Sequence, residues 1–156
     1  MEGMNVYVAG PVLRPDHEHD FRYSLRFLYG QIEAEAKLAG VVIQIPYYER
    51  ELDHLEASEF AKEITRRIKL ANALLVVLIH PEWSMDTRNY SVACEAQIGA
   101  EADKPVAFLA YHADQVPRLL RALAREGAIY TFEKVDFQQL FQCLAQRAER
   151  QGSHNW

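Results

Sequence analysis

The sequence predicts an α/β protein: a single domain built on one doubly wound, five-stranded parallel sheet of the flavodoxin or Rossmann kind, with helices on both faces. Three observations predict it. Strand-like and helix-like hydrophobic periods alternate along the whole chain. Residues 73–79 form an aliphatic run of the kind seen in strands covered on both faces. No linker, repeat or low-complexity stretch divides the 156 residues, a length at which one domain is the ordinary outcome. Strands alternating with helices imply right-handed crossovers and a parallel sheet. The domain is read as residues 1–150, followed by a short tail at 151–156.

The elements follow in order. Asn5–Ala9 reads as a strand ending at Gly10-Pro11. Phe21, Leu25, Leu28, Ile32, Ala36 and Ala39 recur at spacings of three and four, the stripe of an amphipathic helix. Gly40 stands where a helix stop belongs. A β-branched run at 41–45 ends at Pro46, and a tyrosine-bearing loop leads to a helix over 57–70. The buried strand at 73–79 comes next, then a loop at 80–90 and a helix from about Ser91 to Ala102. A strand over 105–110, a helix over 116–125, a short strand over 128–132 and a helix over 133–150 complete the pattern.

Charge and composition exclude several classes. Seventeen Lys and Arg stand against 22 Asp and Glu, a net charge of −5, which argues against a nucleic-acid polymer or an anionic membrane surface as partner. The longest apolar run, at 71–79, is interrupted by Asn72 and is too short to span a bilayer. The N-terminus enters a strand without the regions of a signal peptide. Cys94 and Cys143, the only cysteines, both fall in helical patterns, so no disulfide framework is expected. A cytoplasmic location follows as an expectation.

In open parallel sheets, ligands lie beyond the carboxyl ends of the strands, near the switch point in strand order. That rule singles out the loops at 10–20 and 80–90. Gly10 directly after a strand allows close approach of backbone or ligand, and a tight turn is the plainer alternative. The glycine spacings of a dinucleotide fingerprint or a phosphate loop are missing. The second loop leads into a helix whose first turns carry Ser91 and Glu95. A carboxylate there is held as the anion by the helix dipole and unpaired N–H groups, and an ionised carboxylate is what attack on a glycosidic carbon needs. A favourable acidic residue early in a helix is the competing reading.

Other groups carry less. Asp16, His17, Glu18, His19 and Asp20 are dense in metal-ligand types, yet neighbours two apart point to different sides of a helix, so the run reads as capping and no metal or other cofactor is expected. Arg14, Arg22, Arg26 and Arg88 are phosphate-binding candidates. Arg22 and Arg26 read as a solvated stripe, and Arg88 lies in the loop of interest. Tyr47 and Tyr48 are candidates to stack on a base. Cys94 has no evident His base and reads as core.

At this point the residues resemble a family. Tyr7-Val8-Ala9-Gly10-Pro11, a strand after Lys69-Leu70-Ala71-Asn72, and Glu95 followed nine residues on by Lys104-Pro105-Val106 resemble the nucleoside 2-deoxyribosyltransferase-like superfamily. That superfamily includes deoxyribosyltransferases and nucleoside 5′-monophosphate N-glycosidases. The resemblance covers about residues 5–110. It implies that Glu95 is the nucleophile forming a covalent glycosyl-enzyme intermediate, with Tyr7 orienting it. Gly10 and Pro11 would floor the sugar or base site.

The chain also departs from the pattern. Asn89 stands where transferases carry Asp, and Ser91 where a Gly is usual. The acid that serves the leaving base is replaced by Ile64, with Glu63 one place off and about 100° round the helix, and Asn72 replaces another Asp. A neutral base needs protonation to leave, and Asp86 in the loop is the candidate to supply it. The expectation is therefore cleavage or transfer at the N-glycosidic bond of a nucleoside or nucleoside 5′-monophosphate. Glu95, Tyr7 and Asp86 are the catalytic candidates. Gly10, Pro11, Arg88, Asn89, Ser91 and Tyr47 are the substrate contacts. Two other classes stay open: a nucleotide-binding or sensing module without turnover, and a subunit acting through assembly. The resemblance implies a homodimer or larger homo-oligomer with a neighbouring subunit completing the sugar site, and Tyr130, Asn155 or the carboxylate of Trp156 are the candidates here to reach across.

Overall fold

In the computed structural model the described residues are 3–11, 19–46, 52, 54–78, 87–124 and 128–153, with side chains described except at 19–25, 87–91, 123 and 152–153. The strands β1 (Asn5–Ala9), β2 (Val42–Gln44), β3 (Ala73–Val77), β4 (Val106–Ala110) and β5 (Ile129–Thr131) form one sheet in the order β2-β1-β3-β4-β5. Every pairing is parallel. The helices are α1 (His19–Ala39), α2 (Ala57–Leu70), α3 (Thr87–Glu101), α4 (Arg118–Leu123) and α5 (Phe137–Ser153). The predicted α/β architecture is thus the observed one.

Strand alternation sorts the core into two layers. Val6, Val8, Leu75, Val77, Ala107 and Leu109 point to one face, where Tyr29, Ile32 and Ala36 of α1 and Phe137, Leu140, Phe141 and Leu144 of α5 cover them. Tyr7, Ala9, Leu74, Val76, Val106, Phe108 and Ala110 point to the other. There Ile64 and Ile68 of α2, Val92 and Ala96 of α3 and Leu120 of α4 cover them. All five residues of β3 and of β4 are buried, which explains their unbroken apolar runs.

Gly40 ends α1 as its position predicts. Its φ is 72°, its N–H donates to the Lys37 carbonyl, and the Val41 N–H donates back to Ala36 at 2.9 Å. This paired closure needs the left-handed conformation that glycine adopts without strain.

The strands β2 to β5 are shorter than expected by one or two residues, and the helices depart further. Helix α3 begins at Thr87, four residues before Ser91, although Thr87–Tyr90 show no apolar period. Extending a helix already anchored by packing costs little per residue, so the first turn needs no stripe of its own. The segment expected as one helix over 116–125 is a 3₁₀ turn, Ala113–Gln115, followed by α4 from Arg118. Pro117 separates them, because proline disfavours helical backbone in the residue before it. Helix α5 starts at Phe137 and continues through Ser153, taking in the first three residues read as tail.

No helix among the described residues is long and apolar enough to cross a membrane.

Candidate active site

Strand β1 brings the first candidate side chain to the switch point between β1 and β3. Tyr7 is fully buried on the face covered by α2 and α3. Its hydroxyl donates to Oε2 of Glu95 at 3.1 Å, across 88 residues of sequence. Two of the residues singled out from sequence thus meet in space.

Glu95 lies two turns into α3, not in its first turn, and this corrects the electrostatic expectation. A helix dipole acts on the first turn and fades beyond it. The carboxyl group is instead withdrawn from water, and burial raises its pKa from 4.5 to about 7. The Tyr7 hydroxyl, which favours the anion, pulls the other way and does not cancel the shift. Near neutrality the group is therefore divided between acid and anion. Such a carboxyl can attack as the anion or hold a proton as the acid.

Helix α3 reaches Tyr7 because one of its turns lacks a side chain. Gly99 follows Glu95 by one turn, on the same side of the helix. A Cβ at Gly99 would overlap Cδ2 of Leu74 and stand 3.0 Å from its Cδ1. Leu74 is fully buried in β3, so the helix lies on the strand at a distance where a side chain at position 99 would force Leu74 to move. Sequence reading missed this residue. Its signal was a glycine inside a helical pattern, one turn beyond the candidate nucleophile.

The end of β1 is held from the opposite layer. Ala9, the last residue of the strand, pairs with Val76 of β3, and Gly10 and Pro11 come directly after it. The Tyr29 hydroxyl, buried on α1, donates to the Pro11 carbonyl at 2.9 Å.

The other expected contacts divide by where they fall. Asp86, Tyr47 and Tyr48 lie outside the described residues. Arg88, Asn89 and Ser91 sit in the first turns of α3, before Glu95, and their side chains lie outside the description. The run at 16–18 is outside it too, and among the described residues no three His, Cys, Asp or Glu side chains cluster as metal ligands would. Cys94, read as core, is exposed. It falls on the outer side of α3, which turns Val92 and Ala96 towards the sheet.

Two departures from the family pattern take on structural roles. Asn72 precedes β3 and ties it to β1: its Oδ1 accepts from the Asn5 N–H at 2.8 Å, and its own N–H donates to the Asn5 carbonyl at 2.8 Å. Ile64 is buried against the Tyr7 layer as core, while Glu63 turns outward and pairs with Arg66 and Arg67. Tyr130, one of three residues named as candidates to reach a neighbouring subunit, is half-buried in β5. Burial and a hydrogen bond with Cys143 push its pKa up to about 12. Asn155 and Trp156 lie outside the described residues.

No family model matches the sequence, and no curated protein is significantly similar to it. Solved structures do match. A conserved protein from Enterococcus faecalis V583 superposes with a TM-score of 0.63 at 17% identity, covering 92% of this chain and 98% of that one. A 2-deoxyribosyltransferase from Bacillus psychrosaccharolyticus superposes with a TM-score of 0.59 at 17% identity, covering 90% and 95%. The chain has a deoxyribosyltransferase-like fold. At this identity the likeness concerns the fold, and chemistry has to be argued from the side chains.

Proposed function

We propose that this protein cleaves or exchanges the N-glycosidic bond of a nucleoside or nucleoside 5′-monophosphate, with Glu95 as nucleophile. One observation carries the reading: a half-buried glutamate, its carboxyl withdrawn from water and gripped through one oxygen by a buried tyrosine, at the switch point of a deoxyribosyltransferase-like fold.

Because Tyr7 engages Oε2, Oε1 is the oxygen left to attack the anomeric carbon. A C–O bond forms to Glu95 as the C–N bond breaks, and the bonding pair leaves with the base. The departing nitrogen takes a proton, a role assigned to Asp86. Water or a second base then attacks the same carbon, gives its proton back to that acid, and frees the Glu95 carboxylate. Hydrolysis and transfer differ only in this second attack. Gly10 and Pro11 floor the substrate, Tyr47 stacks on the base, and Arg88, Asn89 and Ser91 contact sugar or phosphate. A homodimer or larger assembly is part of the proposal, and light scattering on the purified protein tests it.

The buried Ile64 favours a second reading, a binding module without turnover, since it fills with core a position where the family carries an acid. One experiment separates the two. Ribo- and deoxyribonucleosides and their 5′-monophosphates are incubated with the protein, with and without adenine as acceptor, and free and exchanged bases are quantified. Base release that disappears in Glu95→Ala supports the enzyme. Binding without release in the wild type supports the module, and neither binding nor release refutes both.

A further inference from the structure

The two faces of the sheet do not treat β1 alike. Glu95 meets the strand from the layer of α2 and α3, whereas Tyr29 rises from α1 in the opposite layer and ends on the backbone just past the strand. Tyr29 is 1% exposed, and its hydroxyl donates to the Pro11 carbonyl at 2.9 Å. The same hydroxyl occupies the space a side chain at position 10 would need: a Cβ on Gly10 would overlap it and come to 3.1 Å from the ring carbon Cζ. Gly10 and Tyr29 are therefore a matched pair.

We propose that Tyr29 is a positioning residue for the substrate site, acting through the backbone of Gly10 and Pro11. This rests on the reading of that site as a nucleoside pocket. By engaging the Pro11 carbonyl, Tyr29 sets the direction in which the chain leaves β1, and hence the floor under the sugar or base. It acts from the layer opposite Tyr7 and Glu95, so in this role it governs how well substrate is held and leaves the nucleophile's ionisation alone.

Two variants and their combination test the pair, with 2′-deoxyadenosine, 2′-deoxycytidine and their 5′-monophosphates as probes. Tyr29→Phe keeps the ring and removes the hydrogen bond. It is expected to raise KM about five- to tenfold, with kcat changed by less than about twofold, and to leave the acid limb of the pH profile in place. Gly10→Ala is expected to be more harmful. Adding Tyr29→Phe to it removes the worst overlap, so the double variant should regain thermal stability and KM relative to Gly10→Ala alone.

The outcomes are distinct. A wild type that turns over a probe, with Tyr29→Phe showing an unchanged KM or a loss confined to kcat, overturns the positioning role and leaves the proposed function standing. A Gly10→Ala variant that Tyr29→Phe fails to rescue overturns the matched pair. A wild type that neither binds nor cleaves any probe overturns the proposed function and the positioning role with it, while melting of the three variants still reads the Gly10–Tyr29 coupling.

Discussion

Glu63 and Glu95 are the same residue type on neighbouring helices, and their surroundings drive them in opposite directions. Glu63 lies at the surface of α2, where hydrogen bonds from Arg66 and then Arg67 pull its pKa down to about 2. Glu95 has its carboxyl end buried on α3 with a neutral phenol for partner, and burial raises its pKa to about 7. One carboxylate is locked in its charged form by cations in water. The other keeps both protonation states within reach at neutral pH. Of the two, only Glu95 meets the buried Tyr7 beside the switch point of the sheet, and sequence position alone does not distinguish them.

The largest expected effect separates the pair outright. Glu95→Gln should lower base release by about 10³-fold or more, as loss of a nucleophile does, while Glu63→Gln should leave it within about twofold. Initial rates on the same probes decide it, and equal losses in both variants would sink the contrast.

Stability should show the same opposition in its pH dependence. A carboxyl whose folded pKa is raised binds more protons folded than unfolded, so Glu95 makes the protein lose stability as pH rises from about 4.5 through about 7. The loss is at most roughly 3 kcal/mol, and Glu95→Gln should remove it. Glu63 works in reverse. Its lowered pKa contributes stability above about 4.5 that is lost as pH falls towards about 2. Urea titrations of wild type and both variants between pH 3 and pH 8 would read both slopes, and parallel curves would contradict the assignment.

Gly99 tests what brings Glu95 to its partner. Gly99→Ala should destabilise the protein by about 1–3 kcal/mol through overlap with Leu74, and should lower activity by separating Glu95 from Tyr7. Thermal melting with rate measurements checks both. The gain in stability usual for alanine in a helix would mean the close approach is not required.

The smallest effect sharpens the cause of the raised pKa. Tyr7→Phe removes the one contribution that favours the anion, so the acid limb of kcat/KM should move upward from about 7 by about one unit. A downward move would mean that the phenol stabilises the acid.

Much of this molecule was legible in its sequence. The bounds of β1 and α2 emerged from period alone, because each carries a regular apolar pattern between clear stops. Gly40 announced its helix end for the same reason. Glu95 and Tyr7 were legible as a pair only through resemblance, since 88 residues separate them. The start of α3 was not legible, because Thr87–Tyr90 have no apolar stripe and take their helical form from the packed turns that follow. The direction of the Glu95 pKa shift was not legible either, because it follows from withdrawal of the carboxyl from water.

What the sequence determined by itself is the order of elements and the parallel sheet, both of them local or periodic properties. The tertiary structure alone decided which carboxyl is buried, which is paired with arginine, and which glycines mark close approach. Those depend on desolvation and on contacts between residues far apart in the chain, and neither quantity is written in any local pattern.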